Sequence, residues 1–165
     1  MISENIDKYG YHGINNNIWR HKMKINTKFF GELEIEESGV VEFIKPILAF
    51  EDKRKYVLLD GMDDLVFTFL QSTEDPQLCF LTVPPALIIK EYDIEIGEET
   101  VKSLELESPS DVILYNIVTV PENVNDMTVN LKAPIVINMK NKKAAQEVLS
   151  DDKYSIKHRI QKDGE

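Results

Sequence analysis

The feature that most constrains the fold of this 165-residue chain is a series of short apolar runs, each ended by turn residues. Leu33 to Glu36 alternates strictly, with Leu33 and Ile35 on one face, which is typical of a strand buried on one side. Roughly ten short strands at this spacing predict a mainly β fold, a small closed or nearly closed antiparallel β-barrel-like domain. The other predicted strands are Lys24–Phe30, Val40–Phe43, Tyr56–Leu59, Val66–Leu70, Cys79–Val83, Val112–Val120, Met127–Leu131 and Ile135–Met139.

Two segments follow other patterns. Residues 98–104 lack strand alternation, and Glu98 and Glu99 favour a helix N-terminus, so we expect one short helix there. The segment from Ala144 to Leu149 is ambiguous, because its Ala-Ala-Gln-Glu run favours a helix by propensity. Its shortness and its strand neighbours favour a strand, which is the prediction.

The chain divides into an N-terminal extension, a main domain and a tail. Residues 1–22 hold three consecutive asparagines and little periodicity, and Met23 resembles an alternative translation start. We expect residues 1–22 to be a poorly structured extension, from an upstream start or from cloning. Trp19 supports the alternative, a native N-terminal arm. The main β domain is expected over residues 23–160, followed by a tail at 161–165.

The formal net charge of −10 restricts the partners. Phosphate backbones and anionic membrane surfaces repel such a chain, so we predict neither direct nucleic-acid binding nor membrane binding. A basic protein would be attracted, although the acidity could serve solubility alone. Cys79 is the single cysteine, which fits a reducing cytoplasm. No stretch of about 18 apolar residues and no signal peptide occurs, so the expected location is cytoplasmic.

Motifs for catalysis are missing from the sequence. The three histidines, His12, His21 and His158, form no zinc-binding pattern, and the glycines form no phosphate-binding loop. Adjacent acids such as Asp63 and Asp64 are more often solvated than catalytic. We therefore predict no catalytic residue, metal site or cofactor, and no enzyme activity.

Acidic residues concentrate between residues 91 and 107, where seven carboxylates accompany one lysine. One interpretation is an acidic surface that steers a basic partner. The alternative is the solvated face of a strand and a helix. The candidate acidic surface comprises Glu91, Asp93, Glu95, Glu98 and Glu99.

A thirteen-residue run from Asp126 to Asn138 resembles the signature of the FliW family, Thr-x-Asn-Leu-x-Ala-Pro followed by a short apolar stretch and Asn. Upstream, Leu70-Gln71-Ser72 with Asp75-Pro76 is similar to the family's Leu-Gln-Ser-x-x-Asp-Pro run. Asp152-Lys153-Tyr154 and His158 resemble its closing stretch. The resemblance extends over residues 23 to 160.

Two departures from the family pattern concern backbone turns. The family often carries Gly-x-x-Gly-Phe-Glu near the third strand, where this chain has Pro46 to Glu51 without either glycine. Ala144 also stands where a glycine is usual. A left-handed turn is harder to form without glycine, so local turn geometry is the expected difference.

The resemblance implies a small β-barrel-like fold and a regulatory role without catalysis. Members of the family bind the translational regulator CsrA, relieving repression of flagellin synthesis, and are themselves sequestered by flagellin. An acidic chain would attract CsrA, a basic RNA-binding protein. The alternatives are a small β-barrel enzyme or ligand-binding protein, and a general export or assembly chaperone.

Five residues of the two signature runs are candidates for a protein-binding surface. They are Gln71, Ser72, Asn130, Pro134 and Asn138. The alternative is that side chains such as Asn130 and Asn138 hold loops by hydrogen bonds to the backbone. Met127, Val129 and Leu131 share one strand face and are expected in the core.

Overall fold

A computed structural model of the protein describes residues 21–61 and 66–160. These residues form eleven β-strands and one α-helix, with four short 3₁₀ turns. The strands are β1 (Lys22–Thr27), β2 (Gly31–Glu36), β3 (Val40–Lys45), β4 (Lys55–Asp60), β5 (Thr68–Ser72), β6 (Cys79–Val83), β7 (Val112–Thr119), β8 (Thr128–Val129), β9 (Ile135–Asn138), β10 (Lys143–Gln146) and β11 (His158–Arg159). The helix, α1, covers Glu98–Ser103.

Seven of the strands close into a barrel. The hydrogen-bonded order runs β7-β6-β5-β4-β3-β10-β9, and β9 pairs back with β7. Closure leaves the ring without an edge strand, which removes the usual template for edge-to-edge aggregation. The predicted mainly β barrel with one short helix is therefore confirmed.

Three further features lie outside the ring. β1 and β2 form a separate antiparallel hairpin, and β8 and β11 continue the sheet beside β7. Phe30 at the hairpin turn packs edge-on against Phe69 of β5, with ring centroids 5.2 Å apart. The hairpin is thereby attached to the outside of the barrel.

One pairing departs from the antiparallel arrangement that the sequence predicted. β10 runs parallel to β3, with Lys143 opposite Glu42 and an irregularity between Ala144 and Ala145. About a hundred residues separate these strands, so no tight turn sets their relative direction. The antiparallel prediction is wrong for this pair and correct for the other strand pairs of the described residues.

Most predicted elements are present, with shifted ends. The helix expected at residues 98–104 is confirmed, and the ambiguous segment from Ala144 forms strand β10. The first strand ends at Thr27 rather than Phe30, because the Thr27 hydroxyl accepts the Phe30 N–H and closes a turn. The strand predicted at Met127–Leu131 is reduced to two residues. β11 was not predicted.

The expected division into an extension, a main domain and a tail stays a prediction. β1 begins at Lys22, one residue before the boundary that the sequence suggested. Residues 1–20 and the tail at 161–165 lie outside the described residues, as do Asp63 and Asp64.

The barrel interior and its outer face carry separate hydrophobic clusters. The interior cluster contains Phe43, Tyr56, Leu70, Ile135 and Ile137, each at most 1% exposed. Two clusters lie outside it, one around Val83, Val129 and Leu131 and one around Leu104, Val136 and Ala145. The expected core positions Val129 and Leu131 are confirmed, whereas Met127 is only half-buried.

The two positions that lack a family glycine differ in backbone conformation. Ala49, which aligns with the second glycine of the turn, takes a left-handed φ of 70°. Ala144 has no positive φ, and its side chain is fully buried in the barrel interior. The absent glycine therefore strains the backbone at Ala49 alone.

Candidate functional site

The structure places the five signature candidates at the end of β5 and around β9. Gln71 and Ser72 end β5 and are fully buried, Pro134 and Asn138 are buried around β9, and Asn130 is half-buried. No single exposed surface collects all five side chains.

Gln71 and Ser72 hold the loop that follows β5. The Gln71 amide nitrogen donates to the carbonyls of Ser72 and Leu78 at 3.0 and 3.1 Å. Its oxygen accepts the Lys28 N–H at 3.0 Å, which ties the β1–β2 hairpin to the barrel. The Ser72 hydroxyl accepts the N–H of Glu74 at 3.1 Å. The Gln71 and Ser72 side chains therefore hold the turn by hydrogen bonds to its backbone.

Asn130 and Asn138 hold two further loops. The Asn130 side-chain oxygen accepts the N–H groups of Lys132 and Ala133, both at 3.1 Å. The Asn138 amide donates to the Leu104 carbonyl at 2.8 Å and thereby fixes the C-terminal end of α1. These contacts fit the loop-holding interpretation, and a partner contact by the five residues stays a prediction.

Sequence reasoning missed Asn116, a fully buried side chain in the middle of β7. Its amide donates to the Asn130 carbonyl at 2.7 Å and to the Tyr92 hydroxyl at 3.3 Å. Tyr92 in turn donates to the Leu131 carbonyl at 2.6 Å, and burial raises the pKa of Tyr92 to about 12. The sequence signal for this site is an asparagine inside a run of β-branched residues, because a buried side-chain amide needs hydrogen-bond partners.

All five candidate acidic residues are exposed. Residues 91–96 form an extended segment, here named the acidic ridge, in which Glu91, Asp93 and Glu95 face solvent. The alternate residues Tyr92, Ile94 and Ile96 are half-buried against the outer clusters. Glu98 and Glu99 follow on the first turn of α1. The carboxylates thus lie along one continuous stretch of chain.

Side chains of the C-terminal part anchor the acidic ridge. The Tyr154 hydroxyl accepts the Asp93 N–H at 2.9 Å and donates to the Asp93 carbonyl at 2.8 Å. Glu147 accepts the Gly97 N–H at 3.1 Å and the hydroxyl proton of Thr100. A Cβ at Gly97 would lie 2.9 Å from the Glu147 carboxylate, so a larger residue there would displace the carboxylate that accepts this N–H.

The end of α1 is held without the glycine that commonly caps a helix. Glu105 takes a left-handed φ of 56°, and the Leu106 N–H bonds the Val101 carbonyl at 2.9 Å. Lys143 donates to the Glu105 carboxylate at 2.8 Å and holds the pKa of that carboxyl below its usual range. The acidic ridge and helix are thus fixed at both ends.

A groove of about 530 Å³ lies between the acidic ridge and β7. Its apolar lining includes Ile96, Val101, Leu106, Val112 and Leu114. Asp93, Ile94 and Glu95 line this groove and also a more polar hollow of about 420 Å³ on their other side. The acidic ridge therefore stands between two depressions.

The described residues contain one free cysteine, Cys79, and no cluster of metal-binding side chains. No group of three or more histidine, cysteine, aspartate or glutamate side chains could hold a metal within residues 21–61 and 66–160. Burial raises the pKa of the Cys79 thiol to about 11, which keeps the weakly nucleophilic thiol form at neutral pH.

No helix within the described part of the chain is long and apolar enough to span a membrane.

Comparison with known proteins identifies relatives across most of the chain. The flagellar assembly factor FliW of Ruminiclostridium cellulolyticum is 39% identical over 139 residues, covering 84% of this chain and 94% of that protein. The namesake protein of Alkaliphilus metalliredigens is 42% identical over 139 residues, covering 84% and 86%.

A solved structure and a family model agree with these relatives. The crystal structure of a flagellar assembly factor FliW superimposes with a TM-score of 0.80 at 35% identity, covering 87% of this chain and 100% of that one. The FliW protein family model matches residues 24–160, which include the barrel, the acidic ridge and both signature runs. The chain belongs to the FliW family of flagellar assembly factors.

Proposed function

We propose that this protein is a cytoplasmic, non-catalytic regulator of flagellum assembly that binds CsrA and is sequestered by flagellin. In this scheme, binding of the protein removes CsrA from flagellin mRNA and so permits flagellin synthesis. Unexported flagellin would then occupy the protein and return CsrA to its RNA. The observation that carries the proposal is family membership over residues 24–160.

The charge distribution supports a basic protein as one partner. The net charge is −10, and the exposed carboxylates of the acidic ridge lie on one stretch of the surface. Such a surface accelerates encounter with a basic RNA-binding protein and repels the RNA that competes for it. The same field argues against direct binding of nucleic acid by this chain.

The test is isothermal titration calorimetry of the full chain with purified CsrA, followed by competition with flagellin. We expect binding to both proteins, with each weakening the other. Affinity for CsrA should fall between about 0.1 and 1 M salt, as the Debye length shrinks from about 10 to 3 Å. Lack of binding to either protein would overturn the proposal, and salt-independent CsrA binding would remove its electrostatic part.

A further inference from the structure

The groove beside the acidic ridge has an apolar lining that the described residues leave open. Ile96, Leu106, Val112 and Leu114 line it and are only partly buried against Leu104 beneath them. Val101 of α1 contributes a side chain that is 37% exposed. An open apolar groove of this size can accept side chains from a partner.

Strand β7 forms one wall of the groove, and there it pairs with another strand on one side only. Residues 112–115 of β7 pair with β9 and, among the described residues, with no second strand. β6 leaves β7 after Val83, because Pro84 and Pro85 have no N–H groups to continue the ladder. At the groove, β7 therefore presents the outward side chains Val112 and Leu114 without a neighbouring strand on that side.

The other wall of the groove carries the Asp93 and Glu95 carboxylates. No lysine, arginine or histidine of the described residues lies within ion-pair distance of the Asp93 or Glu95 carboxylates, although the field of Asp93 reaches Lys153. Both carboxylates are exposed at the groove. A partner would bring the matching positive charges, at little desolvation cost at this exposed rim.

We propose that this groove binds an extended segment of a partner protein in which apolar and basic residues alternate. Alternate side chains of a strand point to opposite faces, so one set would fill the apolar lining while the other meets Asp93 and Glu95. The segment lies against Val112 and Leu114 of β7. This inference rests on the proposed function, because it assigns the binding site of the basic partner.

Hydrogen exchange of the full chain, alone and saturated with CsrA or flagellin, locates the site. We expect slower amide exchange over residues 91–97 and 106–115 with CsrA, the basic partner. The β1–β2 hairpin should be unchanged, since it lies outside the groove. A complex that protects other segments and leaves residues 106–115 unchanged would overturn the proposal.

A matched pair of charge reversals separates a local site from the overall field. Glu95→Lys and Glu122→Lys change the net charge equally, and both glutamates are exposed. We expect Glu95→Lys to lower the affinity for CsrA by at least about tenfold. Glu122→Lys should lower it by less than about threefold. Equal effects, or no effect of Glu95→Lys, would overturn the groove as the site. Circular dichroism confirms that both variants fold.

The outcome remains decisive if the wild-type chain binds neither CsrA nor flagellin. That result overturns the proposed function. The groove is then tested by measuring the binding of a synthetic peptide of alternating valine and arginine. Binding by the wild-type chain that is lost in Glu95→Lys and kept in Glu122→Lys supports the groove. Absent binding, or equal binding by all three proteins, overturns it.

Discussion

Ala49 and Ala144 show how one residue type can suit one position and strain another. Both positions carry glycine in the family pattern that the sequence resembles, but only Ala49 has a left-handed φ, at 70°. The Ala49 N–H bonds the Glu51 carboxylate at 3.0 Å, which helps to keep this turn in place despite its Cβ. Ala144 instead uses its methyl group to fill the barrel interior.

The same substitution should therefore have opposite effects at these two positions. We expect Ala49→Gly to raise the free energy of unfolding by roughly 0.5–1 kcal/mol, because glycine adopts φ of 70° without steric cost. Ala144→Gly should lower it by roughly 1 kcal/mol, through lost packing and greater freedom of the unfolded chain. Urea denaturation of both variants is the measurement. Destabilisation by Ala49→Gly would show that its turn carries no strain.

Asn130 tests whether a signature residue holds a loop or contacts a partner. Asn130→Ala leaves the N–H groups of Lys132 and Ala133 without their acceptor, and we expect a loss of about 1 kcal/mol in unfolding free energy. Asn130→Asp keeps an acceptor oxygen and should stay within about 0.5 kcal/mol of the wild type. Thermal melting and CsrA affinity are measured together. Unchanged melting with lost CsrA binding would instead assign Asn130 to the interface.

At the scale of elements, the Glu147 side chain joins the end of the acidic ridge to α1. Glu147 follows β10 and joins the Gly97 N–H to the Thr100 hydroxyl, and its side chain is only 13% exposed. Lys45 of β3 adds a hydrogen bond to the Thr100 hydroxyl at 3.1 Å. A six-residue helix is too short to be stable alone, so these tertiary contacts stabilise it.

Removing the Glu147 carboxylate should loosen the acidic ridge and helix before the barrel. We expect Glu147→Ala to speed amide exchange over residues 97–104 and to cost about 1–3 kcal/mol of stability, since a partly buried N–H loses its acceptor. Thr100→Val removes one of the two contacts at nearly constant volume and should give a smaller effect. Exchange that rises equally in every strand would contradict a separate anchoring role.

Sequence patterns predicted the elements whose signals are local. Strict alternation at Leu33 to Glu36 and acidic residues at the start of α1 were sufficient for β2 and the helix. The parallel β3–β10 pair, the two-residue strand β11 and the buried amide of Asn116 depend on contacts between distant segments. For the candidate site, exposure of the acidic residues was predictable, whereas the groove required the three-dimensional positions of β7 and Leu106.

At the scale of the whole molecule, closure makes the seven-strand ring a single structural unit. β9 pairs with both β7 and β10, so it joins the last strands of the ring to one another. Its residues contribute to the interior and to the outer clusters at once, with Ile137 in the first and Val136 in the second. Loss of packing at β9 should therefore destabilise the whole ring rather than one hairpin.

Ile137→Ala tests this cooperativity. The side chain is 1% exposed, and removing it leaves an interior cavity that should cost about 2–5 kcal/mol. Because the ring opens as a unit, the amides of β4, β5 and β7 should all exchange faster, by a similar factor. Val148→Ala is the matched control, since that side chain is 55% exposed and its truncation should cost less than about 0.5 kcal/mol. Faster exchange confined to β9 and β10 would show that the barrel opens strand by strand.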